Sequence, residues 1–228
     1  ANDTDDAAGF LEFYRALDEY VGRIYDSLPD DVSLVIASDH GFTELRHEVH
    51  CNAWLAEEGY LTYDTDEPES LADLGADTEV FSLIPGRFFI NLEDREANGS
   101  VSESEYEAVR EQLVDDLTAL TGPDGGSVCA DVYLGEDVFD GPAADIAPDV
   151  VAVPADGFDL KAGFSGSKPV FGAGPRNGMH KFSNATLVTD DDRIVVDDVD
   201  LYDFAPTLLD LLEIDVDADF DGRSLVRA

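Results

Sequence analysis

Ser38-Asp39-His40-Gly41 sets a carboxylate and an imidazole side by side, directly after an apolar run at residues 32–37. An Asp oxygen and a His nitrogen together suit a borderline divalent ion such as Zn²⁺. Neighbouring strand residues point to opposite faces, so Asp39 and His40 can share one ion only where the strand stops, and Gly41 permits that bend. The same four residues also read as a plain turn without metal, because short motifs match by chance. A second chemical feature is the stretch 161–181, which holds Lys161, Lys168, Arg176 and Lys181 and no acid, where the chain's overall acid frequency would place about five. Its five glycines leave backbone N–H groups open to an anion, and His180 stands near its end. On an otherwise acidic surface this island points to a negatively charged substrate met by Lys168, Arg176 and Lys181. Arg176 ranks first, because its planar fork matches phosphate oxygens. The opposing reading pairs these cations with Asp or Glu from elsewhere. His47 and His50 form an H-x-x-H pair at the expected start of a helix, more simply solvated or capping than ligating.

The elements that must position these residues follow from periodicity. Apolar side chains at Phe10, Tyr14, Leu17, Val21, Ile24 and Leu28 predict a helix, ended by Pro29. The run at 32–37 is apolar on both faces, as in the middle of a helix-covered parallel sheet, and ligands of such sheets bind beyond the strand ends. A helix is expected at 52–58, closed by Gly59. Strands are expected at 79–84 and 87–92 around Pro85-Gly86, then a helix at 102–120 with Ser102 and Glu105 as its capping box. Further strands are expected at 128–134, 149–153, 185–189 and 193–196, an irregular segment at 157–181, and a short helix at 206–212. Alternating helices and strands without repeats predict one α/β unit, with residues 60–134 open as an inserted sub-region.

Composition excludes several function classes. The 228 residues carry 13 Lys and Arg against 52 Asp and Glu, a formal charge of −39 that repels nucleic acid and anionic membranes. Only three of the cations are lysines. Acidity of this degree on a chain that is 44% hydrophobic fits a protein kept soluble in concentrated salt, where self-repulsion is screened. Cys51 and Cys129 lack a CxxC partner and read as core thiols rather than a zinc knuckle or a disulfide framework. No apolar run has the length of a membrane span. The first residues show neither an initiator Met nor a basic signal region, so a mature product or a fragment is expected.

Taken in order, the motifs form a pattern. Ser38-Asp39-His40-Gly41-Phe42 is followed by Asn52-Ala53-Trp54-Leu55, Glu58-Gly59-Tyr60-Leu61, and Phe89-Ile90-Asn91-Leu92 with Arg95. Then come Ala147-Pro148-Asp149-Val150, Gly178-Met179-His180, Asp203-Phe204-Ala205-Pro206-Thr207-Leu208-Leu209 and Asp221-Gly222-Arg223-Ser224-Leu225. This series resembles the alkaline phosphatase superfamily and, within it, the type I phosphodiesterase/nucleotide pyrophosphatase family. The resemblance implies an α/β fold with a mostly parallel central sheet flanked by helices. It also implies two divalent metal ions, zinc or alternatively manganese, and a Thr or Ser nucleophile that attacks a small phosphate-ester substrate. It assigns Asp39 and His40 to one metal and His180 to the other, and leaves Asn52, Asn91, Pro206 and Asp221 structural.

The family places its nucleophile, a first metal-binding Asp and an Asp-x-x-x-His pair before the Ser-Asp-His-Gly strand, and nothing in residues 1–31 supplies them. Thr4 lies in an acidic stretch rather than after a strand, and no His precedes His40. The expectation is therefore that residues 1–228 are the C-terminal half of the family's domain, inactive alone and completed by a missing N-terminal half. Two alternatives stand beside it: a sulfatase or phosphoglycerate-mutase-like member of the superfamily, and a non-catalytic remnant serving as an interaction module. The compartment stays open, leaning to the cytoplasm of a high-salt environment.

Overall fold

A computed structural model describes residues 3–227. In chain order it contains helix α1 (Asp3–Ser27), strands β1 (Val35–Ala37), β2 (Gly41–Glu44) and β3 (His47–His50), and helix α2 (Cys51–Glu58). There follow β4 (Val80–Ile84), β5 (Arg87–Ile90), α3 (Glu103–Ala119), β6 (Cys129–Leu134) and the short α4 (Gly135–Val138). The remainder is β7 (Val150–Pro154), β8 (Phe158–Lys161), β9 (Phe171–Gly172), β10 (Gly178–Lys181), β11 (Leu187–Thr189) and α5 (Phe204–Leu211). The chain divides into two compact units: the segment up to Gly41 with everything from Phe182 onward, and Phe42–Lys181. The 60–134 segment lies wholly inside the second. No helix among the described residues is long and apolar enough to cross a membrane.

The unit Phe42–Lys181 is built around a four-stranded sheet in the order β4-β5-β7-β6, with every neighbour antiparallel. A two-residue turn such as Pro85-Gly86 can only join antiparallel strands, since parallel neighbours need a long crossover. A smaller sheet sets β3 parallel to β8 and antiparallel to β9. The mostly parallel central sheet expected from the sequence is thus not what the described residues form. Side chains of Leu55, Phe88, Ile90, Leu113, Leu117, Val150 and Phe158 fill the core. Trp54 packs edge-on to Phe88, with centroids 6.5 Å apart. Helix α2 ends at Gly59, whose φ of +90° lets its N–H reach Leu55 O, as the sequence predicts. The capping box of Ser102 and Glu105 starts α3.

Two buried asparagines stitch this unit together. Asn52 donates to Ser82 O (2.9 Å) and accepts from Ser82 N–H (2.8 Å), and Asn91 donates to Thr78 O and Asn98 O. Both are structural, as the resemblance implied. The supposedly irregular 157–181 segment contains β8, β9 and β10, short strands whose partners lie far away in sequence and leave little local signature.

The other unit pairs β1 with β11, antiparallel. The strand is shorter than its apolar run because side chains of Asp190 and Asp191 bond to the two residues before it. Leu34 N–H donates to Asp190 Oδ1 and Ser33 Oγ to Asp191 Oδ2 (both 2.7 Å), while Asp190 N–H makes only a long backbone bond to Leu34 O at 3.4 Å. The expected strand at 193–196 is reduced to one bridge, Ile194 with Val226. Asp203 ties α5 to the C-terminal segment by accepting from Asp200 N–H at 3.0 Å and Arg223 N–H at 2.9 Å, and these backbone bonds hold its carboxyl below the usual value. Apolar residues here are poorly covered. Among the described residues, nineteen of the large exposed apolar side chains belong to this unit against seven in the other, and only Ile194 and Leu225 are buried.

Candidate functional site

Asp39 and His40 follow the last residue of β1, where the ladder has ended. Ser38 N–H donates to Thr186 O (2.9 Å), and Thr186 N–H donates back to Ser38 Oγ (2.8 Å). His40 Nδ1 donates to Gly41 O at 2.8 Å, which places a proton on that nitrogen. The ring's Nε2 lies 3.4 Å from Asp39 Oδ1. Zinc bonds of about 2.0–2.1 Å at a tetrahedral angle hold two ligand atoms about 3.3–3.4 Å apart. The pair therefore has the span of one edge of a zinc tetrahedron, and its N,O donor set suits Zn²⁺ or Mn²⁺. Asp39 also lines a cavity of about 460 Å³, together with Phe182, Thr186, Val196, Asp200 and Phe204.

His180 belongs to the other unit. It extends from β10, which pairs with β2, and its side chain is exposed beside the buried Met179. Within each unit no group of three His, Cys, Asp or Glu side chains converges on a metal position, among the described residues. His47 and His50 lie on strand β3, with His50 also the N-cap of α2, and residues three apart on a strand face opposite ways. His47 stacks on Phe158 with centroids 5.6 Å apart, and His50 Nδ1 donates to Pro169 O at 2.8 Å.

Most cations of the acid-poor segment are paired. Arg176 Nη2 reaches Glu48 Oε1 (3.0 Å) and Asp159 Oδ2 (2.8 Å), Lys181 pairs with Asp156, and Lys161 with Asp159. Lys168 is exposed. The acids missing from the segment are thus supplied from outside it.

A cluster that sequence reasoning left unassigned surrounds Asp149, a residue only 5% exposed. Arg95 grips both carboxylate oxygens, at 2.8 and 2.7 Å, Tyr106 Oη donates at 2.6 Å, and Ile90 N–H donates at 2.6 Å. Burial, then the bond to Asp149, pushes the Tyr106 phenol up to about 12, and the same carboxylate raises the Arg95 guanidinium. With its acceptor sites filled by protein donors, Asp149 is a latch joining β5, β7 and α3. Arg95 and Asp149 stood in the sequence series as family positions, but nothing marked Tyr106 beyond its place on an amphipathic helix.

Comparison with curated proteins and with solved structures returned no match. The family model described as type I phosphodiesterase / nucleotide pyrophosphatase matches residues 3–182, more than three quarters of the chain. The match spans the Ser-Asp-His-Gly turn, the asparagine stitches, the Asp149 latch and the Gly-x-His strand, so the chain belongs to the type I phosphodiesterase/nucleotide pyrophosphatase family, a family of phosphoester hydrolases.

Proposed function

We propose that this chain is the C-terminal part of a metal-dependent phosphodiesterase. It would contribute Asp39 and His40 to one divalent ion and His180 to a second, with the nucleophile coming from further polypeptide. The observation that carries the reading is the 3.4 Å separation of Asp39 Oδ1 and His40 Nε2 where β1 ends. Two observations support the missing part. Residues 3–27 form one helix, so among the described residues no Thr or Ser on a strand precedes β1. The unit that holds Asp39 also leaves its apolar faces uncovered, as a partial domain would. Further strands beside β1 would build the parallel sheet of an alkaline-phosphatase-like fold.

In this reading the chain's own groups bind and orient. Asp39 and His40 hold a cation at the end of β1, with the imidazole tautomer set by the Nδ1 bond to Gly41 O. Lys168 offers an ammonium to the negatively charged ester, and Arg176 and Lys181 border the same segment through their ion pairs. When bound, the ions would lower the pKa of an attacking oxygen and neutralise charge on the transferring phosphoryl group. Zinc or manganese, a high-salt setting and a small phosphate ester as substrate are parts of this proposal.

The test is hydrolysis of bis-p-nitrophenyl phosphate in zinc and concentrated salt. The chain alone is expected to show negligible turnover, because no nucleophile is present to attack. A complete enzyme containing it is expected to be active and to lose that activity with Asp39→Asn or His180→Ala. Robust turnover by the chain alone, abolished by His180→Ala, would overturn the absent nucleophile. A complete enzyme indifferent to both variants would overturn the metal assignment.

A further inference from the structure

Asp39 and His40 sit between two fixed points. On one side is Ser38, whose backbone N–H donates to Thr186 O and whose hydroxyl accepts Thr186 N–H. The hydroxyl here takes the place of a backbone carbonyl and closes the last rung between the β1 and β11 segments. On the other side is Gly41, packed so closely that a Cβ would fall 2.0 Å from Ser183 O and 2.9 Å from Asn184 O. Residues 183–186 thus grip the turn at both ends. Asn184 holds this segment's shape with a φ of +67°, a conformation that asparagine tolerates better than most residues.

The Asp39 side chain is 74% exposed, so the backbone that carries it is what fixes the region its carboxylate can reach. His40 is tied to the same turn through Gly41 O. The backbone positions from which Asp39 and His40 project are therefore set by the anchors at Ser38 and Gly41. A cation bound by two donors depends on those positions, because a flexible turn would have to be ordered on binding.

We infer that Ser38 is a positioning residue for the divalent-cation site, its hydroxyl holding the Asp39–His40 turn in the geometry that a metal ion requires. The inference rests on the metal reading proposed above. Thr186 is exposed, so its N–H turns to water when the hydroxyl is removed, and the fold loses little. Affinity for metal should therefore fall without a matching fall in melting temperature. A merely structural serine would show the reverse.

The experiment is a competition titration of the purified 228-residue chain with Zn²⁺ and a chromophoric chelator in concentrated salt, alongside thermal melting of the metal-free protein. Wild type is expected to bind zinc and to lose that binding with Asp39→Asn. Ser38→Ala is expected to bind at least tenfold more weakly with a nearly unchanged melting temperature, and Ser38→Thr, which keeps the hydroxyl, to recover most of the affinity. Zinc binding by wild type that ignores Asp39→Asn would sink the metal reading and this inference with it. Binding that requires Asp39 but is equal in wild type and Ser38→Ala would overturn the role of Ser38 alone. Failure of Ser38→Ala to fold would also overturn the inference, because it would assign the hydroxyl to the fold, and a folded Ser38→Thr that binds tenfold more weakly than wild type would refute the role of the hydroxyl.

Discussion

Replacing Asp149 with alanine removes the acceptor on which four donor groups converge. The cost follows from what is left behind. Ile90 is fully buried, so its N–H loses a 2.6 Å bond with no water to replace it, a penalty of about 1–3 kcal/mol. Arg95 loses both carboxylate oxygens and keeps Ile90 O and Glu96. Removing one partner of a buried ion pair costs about 3–5 kcal/mol in total, hydrogen bonds included. The Arg95 side chain is 29% exposed, so water relieves part of its charge and the lower half of that range applies. Tyr106, at the edge of a cavity of about 220 Å³, can turn its hydroxyl to solvent. The expected loss is about 3–4 kcal/mol, which for a chain of this size lowers the melting temperature by about 6–16 °C.

Scanning calorimetry of the full chain in concentrated salt measures this directly. Tyr106→Phe removes one charge-assisted bond while Asp149 keeps three, so it should cost about 1–2 kcal/mol and fall between wild type and Asp149→Ala. Zinc affinity should not change in either variant, because Asp149 is saturated by protein donors. If Asp149→Ala melted within about 1 °C of wild type while zinc binding collapsed, the latch would be refuted and the residue would belong to the metal site.

Three more outcomes follow from the same geometry. Burial pushes the thiols of Cys51 and Cys129 up to about 11 and 12, so iodoacetamide at pH 8 should leave both unlabelled in the native protein and label both after denaturation. Asp191, bonded to Arg193 and Ser33, has its carboxyl held well below the ordinary value of 3.8. Its folded pKa is depressed, so it stabilises the β1–β11 region above about pH 4 and loses that contribution as pH falls through the folded value. Amide exchange at β1 should rise with acid in wild type and depend less on pH in Asp191→Asn. Arg176→Ala should lower the melting temperature slightly in dilute buffer and not at all in molar salt, since its guanidinium is half exposed and the pairs are screened.

Local devices were legible in the sequence, and long-range ones were not. The αL cap at Gly59, the Pro85-Gly86 turn and the Ser102/Glu105 capping box each depend on residues within four positions of one another. The adjacency of Asp39 and His40 is equally local. By contrast, β1 pairs with β11 about 150 residues later, and β3 pairs with β8 about 110 residues later, partners that no periodicity announces. The expected helix start at His47 and His50 is met only by His50, the N-cap of α2, because the strand β3 runs up to His50 itself.

The acid-poor segment shows most clearly what composition can and cannot say. Its lack of acids was correctly visible as a departure from the rest of the chain, but composition is blind to partners. Arg176 finds Glu48, 128 positions earlier, as well as Asp159 just outside the segment, and Lys181 finds Asp156. An acid-free run in so acidic a chain is a place where cations can be held without internal competition, by carboxylates that approach from other strands. That makes Lys168, exposed on the same run, the cation whose charge is least answered by neighbouring carboxylates. Under the proposed function, Lys168 is therefore the first cation of this run to test against a phosphate ester.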